Sequence, residues 1–216
     1  MAVIEGGTSA ALAETGAASS KGLHVIAKPD DYDTLGHYVY ANVTGTIAAG
    51  LAANSDIFQF RWTDSTRLCA IYEVSLVGMY QLTGFTAGAG LFRMNIARSF
   101  SASGTGGTAA TLTGDNQALR TSMGTSLVGD LRIATTAALG AGTKTYDSQS
   151  VGVYNKFILA SANTQVFDEF KLWYTNPGDH PIILAQNEGF GIRATVPATG
   201  TWVVGVSVKW AELTAY

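Results

Sequence analysis

The chain has one cysteine, four prolines, three histidines and little charge. Only 13% of its 216 residues are Asp, Glu, Lys or Arg, against roughly 25% in an average soluble domain. Each scarcity excludes something. Cys69 stands alone, so no disulfide forms within the chain. Its setting in Leu68-Cys69-Ala70-Ile71-Tyr72 reads as that of a small buried hydrophobe rather than a catalytic thiol. His24, His37 and His180 are widely separated, so a histidine-based metal site would have to gather distant positions. A net charge of −3 without a basic run leaves no clustered Lys and Arg for a nucleic-acid groove. No apolar run reaches the ~18 residues of a membrane span. The start has no basic region followed by an apolar one, so a chain without an export signal, made in a cytoplasm, is expected.

Motifs that carry chemistry are also missing. The sequence contains no Gly-x-Ser-x-Gly, no His-Glu-x-x-His and no Walker-type loop. Gly104-Thr105-Gly106-Gly107 has no following Lys and no strand-to-helix setting, so it cradles no phosphate. Asp30, Asp31 and Asp33 lack the distal Glu of a calcium loop and read as a solvated acidic turn. Asp168 and Glu169 fall on opposite faces of one strand and form no acid/base pair. No catalytic residue, cofactor or metal ligand is therefore assigned, and the chain is expected not to be an enzyme. Tyr38, Tyr40, Trp62, Trp173, Trp202 and Trp210 are the candidates for stacking on sugars, but strand aromatics serve a core or an interface more often.

What the chain does have is strand pattern. Residues 36–46 place His37, Val39, Ala41 and Val43 on one face and Tyr38, Tyr40 and Asn42 on the other. In 56–63 the aromatic face of Phe58, Phe60 and Trp62 is the one expected to be buried. Residues 67–82 are the longest apolar run, with Gly78 marking a bulge. A further strand covers 90–99. Residues 100–113 are nearly all Ser, Gly, Thr and Ala and are predicted to be a long exposed loop. A short helix over 115–123 capped by Asp115 is expected, with irregular segments or edge strands over 127–134 and 143–153. In 167–174, Phe167, Glu169, Lys171 and Trp173 share a face. Asn176-Pro177-Gly178-Asp179 is a turn, 181–186 a short strand, and 189–196 leads into a hairpin with 201–213. In that last strand Trp210 wants a partner for its indole N–H, and Glu212 is in reach.

About eight strands with almost no helical periodicity predict an all-β fold: an antiparallel β-sandwich, jelly-roll-like, with a loop-rich insertion over about residues 100–150. Residues 1–22 are different. They are small, without aromatics, and too poor in large apolar side chains to build a core. They read as an extended N-terminal arm, in which Ala2, Val3, Ile4 and Leu12 gain order against another protein, followed by one sandwich domain over 23–216.

Leu184-Ala185-Gln186-Asn187-Glu188-Gly189-Phe190, the turn Ala198-Thr199-Gly200-Thr201, and Val208-Lys209-Trp210-Ala211-Glu212 carry a resemblance. Together with the first 25 residues and Asp130-Leu131-Arg132-Ile133-Ala134-Thr135-Thr136, they resemble virion structural proteins of tailed bacteriophages. The similarity lies in scattered blocks across most of the chain and includes no catalytic signature. It implies a virion protein, assembled in a bacterial cytoplasm, that decorates or cements a capsid. Its partners would be copies of itself, in a trimer, and the major capsid protein, with neither nucleic acid nor membrane. Trp62, Trp173, Trp202 and Trp210 are then core or interface aromatics. Two other roles stay open: a head or tail appendage that binds a host receptor or glycan, and a main shell or tail-tube subunit.

Overall fold

Strand-forming alternation runs through almost the whole body, and no helix forms among the described residues. The computed structural model describes residues 5–6, 11–12, 36–48, 50–114, 117–176, 179–214 and 216. The chain divides into two units, Met1–Asp30 and Asp31–Tyr216. In the first, Glu5–Gly6 (β1) and Ala11–Leu12 (β2) pair antiparallel, with Glu5 opposite Leu12. Ala2, Val3 and Ile4 of the expected arm, the segment 23–28 and the acidic turn lie outside the described residues.

The second unit is a β-sandwich of two antiparallel sheets. Its strands are His37–Val43 (β3), Ile47–Ala48 (β4), Ser55–Trp62 (β5), Leu68–Thr83 (β6), Gly88–Ala102 (β7), Thr108–Ala109 (β8) and Val128–Ile133 (β9). They continue with Thr143–Tyr146 (β10), Gly152–Ile158 (β11), Thr164–Tyr174 (β12), Ile182–Leu184 (β13), Glu188–Thr195 (β14) and Thr201–Leu213 (β15). The first sheet runs β12-β6-β15-β3, with β13 beside β6 and β4 beside β15. The second runs β10-β7-β14-β5-β9-β8, with β11 also paired to β7.

The core is aromatic and joins the sheets. Tyr38 stacks on Trp210 at 5.5 Å, Trp210 meets the edge of Phe60 at 5.4 Å, and Phe60 stacks on Phe190 at 5.2 Å. Phe58 extends the chain from Phe190 to Tyr40. A second group closes the β11–β12 side: Trp202, Phe92, Phe167, Tyr154 and Phe170 make successive ring contacts of 4.3–6.0 Å. Phe58, Phe60 and Trp62 are fully buried, as their alternation predicted.

Bulges decide which side chains face inward. Along β15, Val204 pairs with Met79 and Gly205 with Val77, so Gly78 is the extra residue, at φ +72°. The extra residue lets exposed Val77 be followed by buried Met79. Opposite it, β12 also changes face. Phe167 is buried while Glu169 and Lys171 point outward, so these residues do not share the face expected of them.

Three other expectations are corrected. The predicted helix over 115–123 is absent among its described residues: residues 117–123 are turns joined to β3 by a Tyr38–Ala118 bridge. Gln117 has φ +68°, which no right-handed helix accepts, and its carbonyl takes the Val39 N–H instead. The predicted loop over 100–113 begins as strand, since Phe100 is buried in β7, and Thr108–Ala109 pairs with β9. The expected hairpin of 189–196 with 201–213 does not form, because β14 pairs with β5 and β7 in the second sheet while β15 pairs with β3 and β6 in the first. Of the segments read as irregular or edge strands, 127–134 holds β9 and 143–153 holds the edge strand β10 and the start of β11.

Glu212 finds the role its spacing suggested. Its Oε1 lies 3.5 Å from Trp210 Nε1 and accepts from Ser126 Oγ at 2.7 Å and Leu127 N at 2.9 Å. It thereby ties residues 126–127 to the sandwich. Burial pushes its carboxyl up to about 7, overriding these hydrogen bonds, which favour the charged form. The unfolded chain loses this proton near the ordinary glutamate value of 4.5 while the folded chain keeps it to about 7, so stability falls as pH rises through that window. Glu212→Gln is expected to flatten the pH dependence of unfolding between those limits. Thermal or urea unfolding at stepped pH should show a difference from wild type on the order of 3 kcal/mol across the window.

A buried charge cluster as candidate functional site

The outer face of the second sheet carries a group of buried charges. In β5, Ile57 is an extra residue between Phe58, opposite Ile192, and Asp56, opposite Arg193. This bulge turns Asp56 onto the same face as Gln59, whose Nε2 donates to Asp56 Oδ2 at 2.7 Å. Arg193 in turn lies opposite Arg93 of β7. The register thus sets Asp56, Arg193 and Arg93 in one row across β5, β14 and β7.

Strand β10 and the loops around it fold over this row. Lys144 Nζ reaches Asp56 Oδ2 at 2.8 Å, with both side chains more than nine-tenths buried. The same ammonium donates to the carbonyl of Ala141. Tyr146 donates its hydroxyl to Asp56 Oδ2 at 3.0 Å. Its ring takes Lys144 at 5.3 Å and Arg193 at 4.9 Å from the centroid, two cation–π contacts on one ring. Gly191 makes this cover possible, because a Cβ there would stand 2.0 Å from the Tyr146 hydroxyl. Gln59 locks the loops above by accepting from Gly104 N at 2.9 Å and donating to Gly140 O at 3.1 Å.

Beside the cluster opens a cavity of about 360 Å³, lined by the 52–56 loop, Leu139, Ala141, Gly142, Lys144, Tyr146 and Arg193. Two cations and one carboxylate line it. Burial, with the Asp56 charge as second cause, pushes the Tyr146 phenol far above its usual range. It is thus a neutral hydrogen-bond donor here, unsuited to proton abstraction. Arg193 Nε donates to Asn54 O at 3.1 Å and stands 3.7 Å from Asp56 Oδ1. Its terminal nitrogens have no partner among the described residues. The arrangement presents positive charge and donors to a small polar space.

Sequence reasoning missed this cluster. Its members are far apart in the chain, and each sits in an ordinary strand segment. One signal was available: Gly189 and Gly191 alternate with Phe190 and Ile192, leaving the outward face of β14 bare for a covering side chain. Of the aromatic candidates, Trp62, Trp202, Trp210, Tyr38 and Tyr40 are buried, whereas Trp173 is half-buried on β12. Leu12 lies on β2. His37 packs its ring 5.4 Å from Tyr72, and His180 lies 4.6 Å from Tyr216. No group of three metal-ligating side chains gathers among the described residues. No protein family, curated protein or solved structure matches this chain.

Removing one member of a buried ion pair leaves the other uncompensated, at a cost of roughly 3–5 kcal/mol. Asp56→Ala is expected to lose that much in urea unfolding. Adding Lys144→Met to it should restore part of the loss, because the stranded ammonium is then gone.

Proposed function

We propose that this chain is a non-enzymatic virion structural protein of a tailed bacteriophage, which decorates or stabilises the capsid through contacts made in many copies. The observation that carries this reading is the strand order. With β3, β5, β6, β7, β10/β11, β12, β14 and β15 numbered one to eight, and the short strands β4, β8 and β13 and the added strand β9 set aside, the sheets read 1-8-3-6 and 2-7-4-5. That double Greek key supports the jelly-roll reading, an architecture used by viral capsid proteins and lectins. The blocks of sequence similarity and the low charge point the same way.

The contact surface fits the edge of the second sheet. On β11 and just beyond it, Val153, Phe157 and Leu159 are 50%, 63% and 66% exposed. These three share the outward face of an edge strand, broken only by Asn155, and such an exposed apolar edge is one that monomers usually cover or charge. We place the self-contact there, in a trimer, with the major capsid protein as the further partner. Multivalent attachment makes modest single contacts durable. A second reading, a receptor- or glycan-binding appendage, is favoured by the polar cavity at Asp56, Lys144 and Arg193.

Light scattering on the purified chain should give the mass of three copies, and Phe157→Glu should shift it to one. A monomeric wild type overturns the trimer, and spontaneous shells or tubes would favour a main structural subunit. Deleting residues 1–22 should lower occupancy on imaged particles; unchanged occupancy removes the arm from the role.

A further inference from the structure

We infer that the cavity beside Asp56 is a binding site for an oxyanion: a carboxylate or phosphate group, free or carried on a sugar. The inference does not depend on the assembly role proposed above. Its first ground is the charge balance. Lys144 and Arg193 share the single carboxylate of Asp56, so the lining has one positive charge in excess. Arg93 adds a second. It lies directly opposite Arg193, no acidic group among the described residues pairs with it, and its buried Nε has no partner. Like charges directly opposite in a sheet are destabilising. An anion over the row removes that repulsion.

The second ground is geometry. The Arg193 side chain is held by its Nε bond to Asn54 O and by the Tyr146 ring beneath it. Its two terminal nitrogens stay available, and a guanidinium fork matches an oxyanion with two parallel hydrogen bonds. Lys144 is likewise fixed, between Asp56 and Ala141. A site whose donors are already oriented spends little ordering on binding. Arg93 is not a lining residue and acts through its field, an effect that added salt screens.

The test is calorimetric titration of the full chain with sodium phosphate, sodium glucuronate and neutral glucose at matched ionic strength. Phosphate, glucuronate or both should bind saturably, and glucose should not. Phosphate alone points to a free anion, glucuronate alone to a sugar-borne one, and either supports the site. Arg193→Gln should weaken binding at least about tenfold, the loss expected of a charge-assisted pair of hydrogen bonds. Because Arg193 also contacts Asp56, Arg93→Gln is the decisive companion. It should leave unliganded stability unchanged or higher, yet weaken binding several-fold, with the difference shrinking as salt rises. Non-saturable heats, glucose binding as well as glucuronate, or both variants binding like wild type would overturn the site.

Discussion

The rest of the structure depends on the aromatic chain that crosses between the sheets. Tyr40 and Tyr38 from β3 and Trp210 from β15 meet Phe58 and Phe60 from β5 and Phe190 from β14. Each ring pair adds about 0.5–1.5 kcal/mol beyond the area it buries. Their larger effect is on register. A one-residue slip in β5 would send Phe58, Phe60 and Trp62 to the other face and bring Gln59 and Arg61 inward. The core therefore fixes where Asp56 stands. The single bulge at Ile57 then releases Asp56 from the inward alternation and delivers it to the outer face.

On that face the chain does something unusual for a sandwich. An antiparallel sheet commonly packs one face on the core and leaves the other in water. Here the 103–107 and 139–147 segments cover the second sheet over β5 and β14, so Gln59 and Asp56 are buried although they point away from the core. Covering charge in this way is unfavourable unless every partner is present. For Asp56 the cluster supplies them: the carboxylate takes Gln59, Tyr146 and Lys144, and Gly191 leaves room for the phenol. The first sheet handles charge differently, with Glu73 bridging Lys171 and Lys209 on its outer face at 3.0 and 3.2 Å. Hydrogen bonds to the two lysines hold the Glu73 carboxyl below its usual value, although burial opposes them as the largest single effect.

How much of this the sequence declared follows from what each feature depends on. Strands β3, β5, β6 and β15 were legible because their alternation is local and strong. Gly78 was legible as a bulge because a glycine inside a long apolar run has few other uses. Strands β9, β10 and β11 were not, since they are short, rich in Gly, Thr and Lys, and owe their conformation to pairing with β5 and β7. The broken alternation of β12 was hidden for a similar reason: its face change lies opposite a bulge in another strand. The charge cluster was least legible of all. Asp56, Lys144, Tyr146 and Arg193 become neighbours only through the order β10-β7-β14-β5, which no local pattern encodes.

That same order links the apolar edge to the charge row. Val153 pairs with Arg93, which pairs with Arg193, which pairs with Asp56, so one line of register runs from the β11 edge to the buried carboxylate. A second copy seated on Val153 and Phe157 would shield Arg93 further from water. Desolvation raises the cost of an unpaired guanidinium, so the self-contact proposed at this edge and anion binding along the row would favour one another. The reciprocity is thermodynamic: whatever free energy the anion contributes to the contact, the contact returns to the affinity for the anion. If the chain assembles at this edge, its cations stand where a neighbour's arrival would make their neutralisation matter most.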